Sequence, residues 1–277
     1  MMLCQFVKEN ELINLAKSSR YYFSEKVNGC RVLYLNGNLF NREGLNVSNK
    51  YPHIIKELKE QGFDKAILDG EIALEKDGKT DLYNIQLKKN WDKCSYFIFD
   101  MIKDGYGRDT HNLTLNARLT LLEEQLIPTE KLKLVKHSLF TEKSLEVVKQ
   151  FELEHREGIV LKLINSPYVF DFDNPFSEDR TIYWKKFKFL VNYEVDIVGY
   201  NDDRKHHSYG SIKTSKGDVG LLNIKNFEIF VSQKPQKAIV RGEQELSVHN
   251  RILKPILVSF LINGIEIPCL RSDKNEF

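Results

Sequence analysis

The stretch EKVNGCRVLYLNGNLFNR, Glu25–Arg42, decides how the first part of the chain must fold. Arg31 to Leu35 and Leu39 to Arg42 are short apolar-rich runs on either side of Asn36-Gly37, the dipeptide that supplies positive φ in a tight turn, so they predict a β-hairpin. Just ahead of it, Lys26-Val27-Asn28-Gly29 sets a lysine at a strand end before a glycine turn, with Arg31 five residues on. Such a lysine is either a solvated strand end or an amine nucleophile beside an anion-binding arginine. An amine at its ordinary pKa of ~10.4 is protonated at pH 7 and cannot attack. Desolvation or a nearby cation must lower that value, and Arg31 supplies a cation.

Downstream, Tyr51 to Gln61 predicts a helix, with Pro52 near its first position and Gly62 just past its end. Lys65 to Leu68 and Glu71 to Glu75 predict two short strands around an Asp69-Gly70 turn. Their two carboxylates are expected on opposite sides, and the segment is either a plain turn or one in which one carboxylate caps the turn and the other points into a cleft to hold a metal or a ribose hydroxyl. Asp77-Gly78 offers another turn. Tyr96 to Phe99 predicts a strand, with Phe97 in the core and Phe99 either in the core as well or presenting its face to a planar base. Leucine spacing predicts helices over Leu115 to Leu126 and Leu145 to Leu153. Gly158 to Leu163 and Thr181 to Lys188 predict strands. In the latter, a period of two sets Lys186 and Lys188 on one face, either as a solvated edge strand or as neighbouring like charges that favour an anion between them.

From about Tyr193 the texture changes to short strand-like runs: Val195 to Tyr200, Ser211 to Thr214, Val219 to Ile224, Glu228 to Val231, Ile256 to Ile262 and Ile265 to Leu270. Several short strands between polar turns predict a small barrel or sandwich, with a boundary near Val191.

Composition narrows the class. Among 277 residues, 42% are apolar and 29% charged, as in an ordinary soluble protein. A net charge of +2, from 41 basic and 39 acidic residues, neither demands nor excludes a polyanionic partner. Cys4, Cys30, Cys94 and Cys269 lie far apart without a CxxC pair, which argues against zinc or a disulfide framework. The longest apolar run, Pro255 to Ile262, is broken by Ser259 and too short to span a bilayer. With no signal-peptide core at the N-terminus, the expectation is a cytoplasmic protein, neither secreted nor membrane-bound. No GxxxxGK[ST] loop is present to hold ATP.

The motifs also occur in a telling order. Lys-x-Asn-Gly-x-Arg is followed by Asn-Arg-x-Gly at Asn41 to Gly44, Leu-Asp-Gly-Glu, Phe-Asp, Glu-Gly-Ile-Val-Leu-Lys at Glu157 to Lys162, Trp-x-Lys-x-Lys and Arg-x-Asp-Lys. This series resembles the ATP-dependent DNA ligases of the covalent nucleotidyltransferase superfamily, from about Tyr21 to Lys274. The resemblance implies an α+β fold: an ATP-grasp-like nucleotidyltransferase domain of antiparallel sheets and helices over residues 1–190, then a small all-β OB-fold domain over 191–277. It implies a ligase that seals 5′-phosphate/3′-hydroxyl nicks in duplex DNA, using ATP and Mg²⁺. Lys26 would carry AMP. Glu71 and Glu157 would be the metal-linked carboxylates, and Lys186 and Lys188 would grip the α-phosphate. Ser24, Glu25, Arg31 and Arg42 would line the nucleotide and Phe99 would stack on adenine. Arg271, Asp273 and Lys274 would orient the leaving pyrophosphate.

The sequence departs from the family pattern at Asn28, where an aspartate is usual, at Ser24, where many members have a glutamate contacting adenine, and at Asn41 in place of serine. Residues 221–250 match poorly. With Lys26 so early, the resemblance is to the minimal two-domain forms, expected to be monomers needing no obligate protein partner. An RNA strand is an alternative substrate. An RNA ligase, a capping guanylyltransferase and a nucleic-acid-binding relative without catalysis are the rival readings.

Overall fold

In the computed structural model, the described residues are 1–76, 78–81, 85, 88–202, 209–221, 223–243 and 250–269. The chain divides into two units, Met1–Phe187 and Lys188–Phe277. In the first, β1 (Met2–Phe6) and α1 (Glu9–Ser18) precede β2 (Tyr21–Glu25). β3 (Cys30–Leu35) and β4 (Asn38–Asn41) form the expected hairpin, with φ of 46° at Asn36 and 82° at Gly37. Then come α2 (Pro52–Glu60), β5 (Ile67–Lys76), β6 (Lys79–Asp81), β7 (Ser95–Lys103) and α3 (Leu115–Gln125). β8 (Leu132–Leu134), β9 (Ser138–Leu139), α4 (Ser144–Leu153), β10 (Gly158–Leu163) and β11 (Asp179–Lys188) complete the series.

These strands form two sheets. One has the order β4-β3-β5-β7-β8, with β6 paired to β5, and the other the order β1-β11-β10-β2-β9. Antiparallel pairs predominate; β1 on β11 and β8 on β7 are parallel. β3 buries both faces, which its unbroken Val32-Leu33-Tyr34 run requires. Val32 and Tyr34 share a core with Ile54 and Leu58, an i,i+4 pair on α2. Leu33 faces the other way, into a cluster with Ile67, Tyr168 and Trp184.

Two expectations for this unit need correction. Asp69-Gly70 is no turn: β5 runs unbroken through it, paired to β3 on one side and β7 on the other. Glycine serves here for close approach, since a Cβ at Gly70 would lie 2.5 Å from the Tyr96 ring and 2.6 Å from the Phe97 carbonyl. A continuous strand also puts Asp69 and Glu71 two residues apart on one face, not on opposite sides. Asp77, expected in the next turn, lies outside the described residues.

The second unit is a six-stranded sheet, β14-β13-β12-β15-β16-β17. Its strands are β12 (Leu190–Asn201), β13 (Ser211–Thr214), β14 (Gly217–Gly220), β15 (Lys237–Glu243), β16 (Ile256–Ile262) and β17 (Ile265–Pro268). The strand expected at Glu228 to Val231 is instead part of a helix, α5 (Ile224–Gln233). Asn223 caps its start by accepting from the Lys225 amide at 2.8 Å, and Lys234 ends it in the left-handed conformation. Phe227 and Phe230, three apart, both meet the Tyr200 ring, with centroids 6.1 and 5.6 Å away. That helical spacing outweighs the β-prone composition.

Candidate active site

Strand register brings the lysine to a carboxylate. β2 and β10 are antiparallel with Glu25 opposite Ile159, and the Lys26 amide extends the ladder by donating to the Gly158 carbonyl at 2.9 Å. The Lys26 side chain thus meets Glu157, with Nζ 2.8 Å from Oε2. The carboxylate is 3% exposed and the lysine 21%. Gly29 lets the chain pass close against β5 here, because a Cβ would come within 2.3 Å of the Ile72 carbonyl and 2.8 Å of Glu71 Cγ. Glu71 on β5 therefore stands beside the lysine motif. Burial pushes its carboxyl up to about 7; the Lys26 charge opposes that shift and Glu157 adds to it.

A cavity of about 240 Å³ opens at this point, and its walls gather Ser24, Glu25, Lys26, Arg31, Arg42, Glu71, Phe99 and Lys186. Arg31, expected to hold phosphate or ribose, is engaged with protein groups. It grips Asp69 through Nε at 3.0 Å and Nη2 at 2.6 Å, and Nη1 donates to the Met2 carbonyl at 2.6 Å. Asp69 also accepts from the Tyr168 hydroxyl at 2.6 Å. Arg42 is half exposed and pairs with Glu178, Nη2 lying 2.7 Å from Oε2. Glu25 pairs with Arg156. Ser24 is buried and sits opposite Val160 in the strand register. Phe99 meets Trp184 edge-on, with ring centroids 6.0 Å apart.

Lys188 belongs to the second unit, where its Nζ is 3.0 Å from Glu243 Oε1. Arg271, Asp273 and Lys274 lie outside the described residues.

Lys162, Trp184 and Arg180 are among the cavity residues to which sequence reading gave no role. Lys162 is 2% exposed, donates to the Phe99 carbonyl at 2.8 Å, and holds Nζ 4.4 Å from the Phe99 ring centre and 4.1 Å from that of Trp184. Burial pushes this amine down to about 8, against the pull of nearby Asp100. Period two contained the signal: Ile159 and Leu161 are fully buried, so Val160 and Lys162 share the opposite face.

Comparison with known proteins bears on what this assembly is. Residues 1–188 match the ATP dependent DNA ligase domain. The chain belongs to this family. A DNA ligase of Archaeoglobus fulgidus is 30% identical over 146 residues, which cover 47% of this chain and only 26% of that protein's length. Among solved structures, a Lig E DNA ligase superposes with a TM-score of 0.66 at 15% identity, covering 93% of this chain and 97% of that one. The ligase domain of Mycobacterium tuberculosis LigD gives 0.57 at 19% identity, with 92% of each chain covered. At such identities the ligase-domain likeness is one of fold: a mixed α+β architecture rich in antiparallel sheet. No helix among the described residues is long and apolar enough to cross a membrane.

Proposed function

We propose that this ligase-family chain seals 5′-phosphate/3′-hydroxyl nicks in duplex DNA through a lysyl-AMP intermediate on Lys26. The observation that carries the reading is the contact of Lys26 with the Glu157 carboxylate at 2.8 Å, Lys26 itself lining a cavity that Arg42, Arg180 and Lys186 also line. Phosphoryl transfer depends mainly on positioning and on neutralising spread negative charge, and this cation-rich cavity suits both. The first unit serves as the nucleotidyltransferase domain and the second as the OB-fold domain.

In the first step the Lys26 ammonium gives a proton to the Glu157 carboxylate, and the freed amine attacks the α-phosphorus of ATP. The N–P bond forms, and the P–O bond to pyrophosphate breaks with its electron pair leaving on oxygen. Lys186 and Arg180 balance the phosphate charge, and Phe99 packs on the base. AMP then passes to the 5′-phosphate of the nick, breaking the N–P bond and restoring the amine. The 3′-hydroxyl finally displaces AMP and forms the phosphodiester.

Mg²⁺ fits the donors present. Glu71 and Glu157 flank the same amine and repel each other, and among the described residues no group of three or more His, Cys, Asp or Glu gathers to form a closed protein site. Two carboxylates match a hard cation that completes its shell with phosphate oxygens and water. When bound, it neutralises the charge of the phosphates.

Incubation with α-labelled ATP should leave acid-labile label on the denatured protein, and Lys26→Ala should abolish it. Label that survives Lys26→Ala would refute the nucleophile. A GTP-only adduct would point to capping, and nicked duplexes with DNA or RNA strands then separate DNA from RNA ligation.

A further inference from the structure

The lysine that carries the proposed chemistry sits on a short linker, residues 26–29, which joins β2 to β3 and belongs to neither strand. Three contacts hold its backbone. The Lys26 amide donates to the Gly158 carbonyl at 2.9 Å. Two residues on, the Asn28 amide donates to the Thr80 hydroxyl at 2.8 Å. Gly29 then runs against β5, where the Ile72 carbonyl leaves no room for a Cβ. The first contact is made by backbone alone. The second depends on one side-chain hydroxyl, supplied from outside the lysine motif.

Strand pairing explains how Thr80 reaches the linker. β6 folds back on β5 with Thr80 opposite Glu75. β5 therefore carries Glu71 to the lysine motif directly and, through β6, an acceptor for the linker amide. Thr80 and Val27 both line a cavity of about 630 Å³, so this contact borders open space. A partly buried amide that loses its acceptor is driven to seek another, and the open side gives the linker room to shift.

We propose that Thr80 is a positioning residue for the nucleophile: its hydroxyl fixes the linker so that the Lys26 amine stays against Glu157 and within reach of the α-phosphorus. The inference rests on the lysyl-AMP reading and adds to it a residue that acts only through the backbone of Asn28. The bonds made and broken at Lys26 are those already described.

The test uses the full chain. Thr80→Val removes the acceptor and keeps the branched shape. Labelling by saturating α-labelled ATP should slow at least about tenfold, since misplacing a reacting group by about 1 Å can cost on the order of a hundredfold. The KM for ATP should stay within about twofold, because Arg42, Arg180 and Lys186, which line the nucleotide cavity, are carried by other segments. Thr80→Ala should behave like Thr80→Val, and Thr80→Ser, which keeps the hydroxyl, should recover most of the rate. A nick that already bears a 5′-adenylate needs no attack by Lys26, so Thr80→Val should seal it as fast as wild type. Equal slowing on ATP and on the pre-adenylated nick would overturn the proposal, since the damage would then be general. So would unchanged labelling, a raised KM at an unchanged maximal rate, or a Thr80→Ser variant as slow as Thr80→Val. Wild-type protein that takes up no label would refute the lysyl-AMP reading itself, and this inference with it.

Discussion

Asp69→Asn removes one negative charge from a buried network while preserving its shape, and the consequence can be sized from the geometry. Asp69 is fully buried, takes both ends of the Arg31 fork at 2.6 and 3.0 Å, and accepts from Tyr168 at 2.6 Å. Two unit charges about 4 Å apart attract by about 4 kcal/mol at an effective dielectric constant near 20. Removing one partner of a buried pair typically costs about 3–5 kcal/mol, because the other charge stays behind uncompensated. The Arg31 side chain is only 14% exposed, so water offers it little relief. Asp69→Asn should therefore destabilise the first unit by about 4 kcal/mol. In an Arg31→Met background the same change should cost at least about 2 kcal/mol less, since no cation is then stranded. Urea unfolding followed by tryptophan fluorescence reads this unit specifically, because both tryptophans, Trp91 and Trp184, lie within Met1–Phe187. A loss below about 1 kcal/mol, or strict additivity of the two changes, would refute the claim that this pair is buried and mutually dependent.

Three further outcomes are expected. Gly70→Ala should cost about 3 kcal/mol in the same unfolding assay, because a buried ring and a backbone carbonyl occupy the space its methyl needs. His137 has its ring pKa pushed down to about 3 by burial, with the Lys162 charge acting in the same direction, and among the described residues its Nε2 finds no hydrogen-bond partner. Below an unfolded value of about 6.5 the unfolded chain takes up a proton that the folded one refuses. Stability should therefore fall from that pH downward, by about 2 kcal/mol at pH 5, and His137→Phe should flatten this acid limb. Lys162, at about 8 when folded and 10.5 when exposed, works on the alkaline side. The unfolded state holds more protons between these values, so this group adds stability as pH rises from 8 to 10.5, by up to about 3 kcal/mol. The stability difference between wild type and Lys162→Met should change across that window and stay constant below it.

What the sequence disclosed depended on how far apart the interacting residues lie. Elements fixed by neighbours were legible: the Asn36-Gly37 hairpin, α2 between Pro52 and Gly62, and the leucine-spaced α3 and α4. β1 was not, since its partner β11 lies at the other end of the first unit and a parallel pairing leaves no local turn signal. The Asp69-Gly70 reading failed for a related reason. A dipeptide common in turns was judged without its neighbours, whereas Tyr96 from β7 fills the space that a side chain at position 70 would need. That misreading also hid the partner of Arg31, and so made the arginine look available for phosphate. Lys162 was legible only as the last residue of its motif and carried no role, because the face it shares with Val160 becomes the cavity side only once the sheets are assembled.

The lysine–carboxylate pair is specified by sheet register more than by either motif alone. In an antiparallel pair, a one-residue slip turns every side chain to the opposite face. A slip of β10 against β2 would bring Val160 and Lys162 onto the face now held by Ile159 and Leu161, displacing two core residues and taking the buried Lys162 amine away from the Phe99 carbonyl that accepts from it. The fully buried Ile159 and Leu161 therefore fix the register that delivers Glu157 to Lys26. Gly158, with φ of 152°, lies in a region that side chains rarely adopt, and it sets the carboxylate at the point where the ladder begins. Apolar burial on one face of β10 thus determines the electrostatics on the other. A core substitution that loosened this pairing would separate the amine from its carboxylate without touching any charged residue.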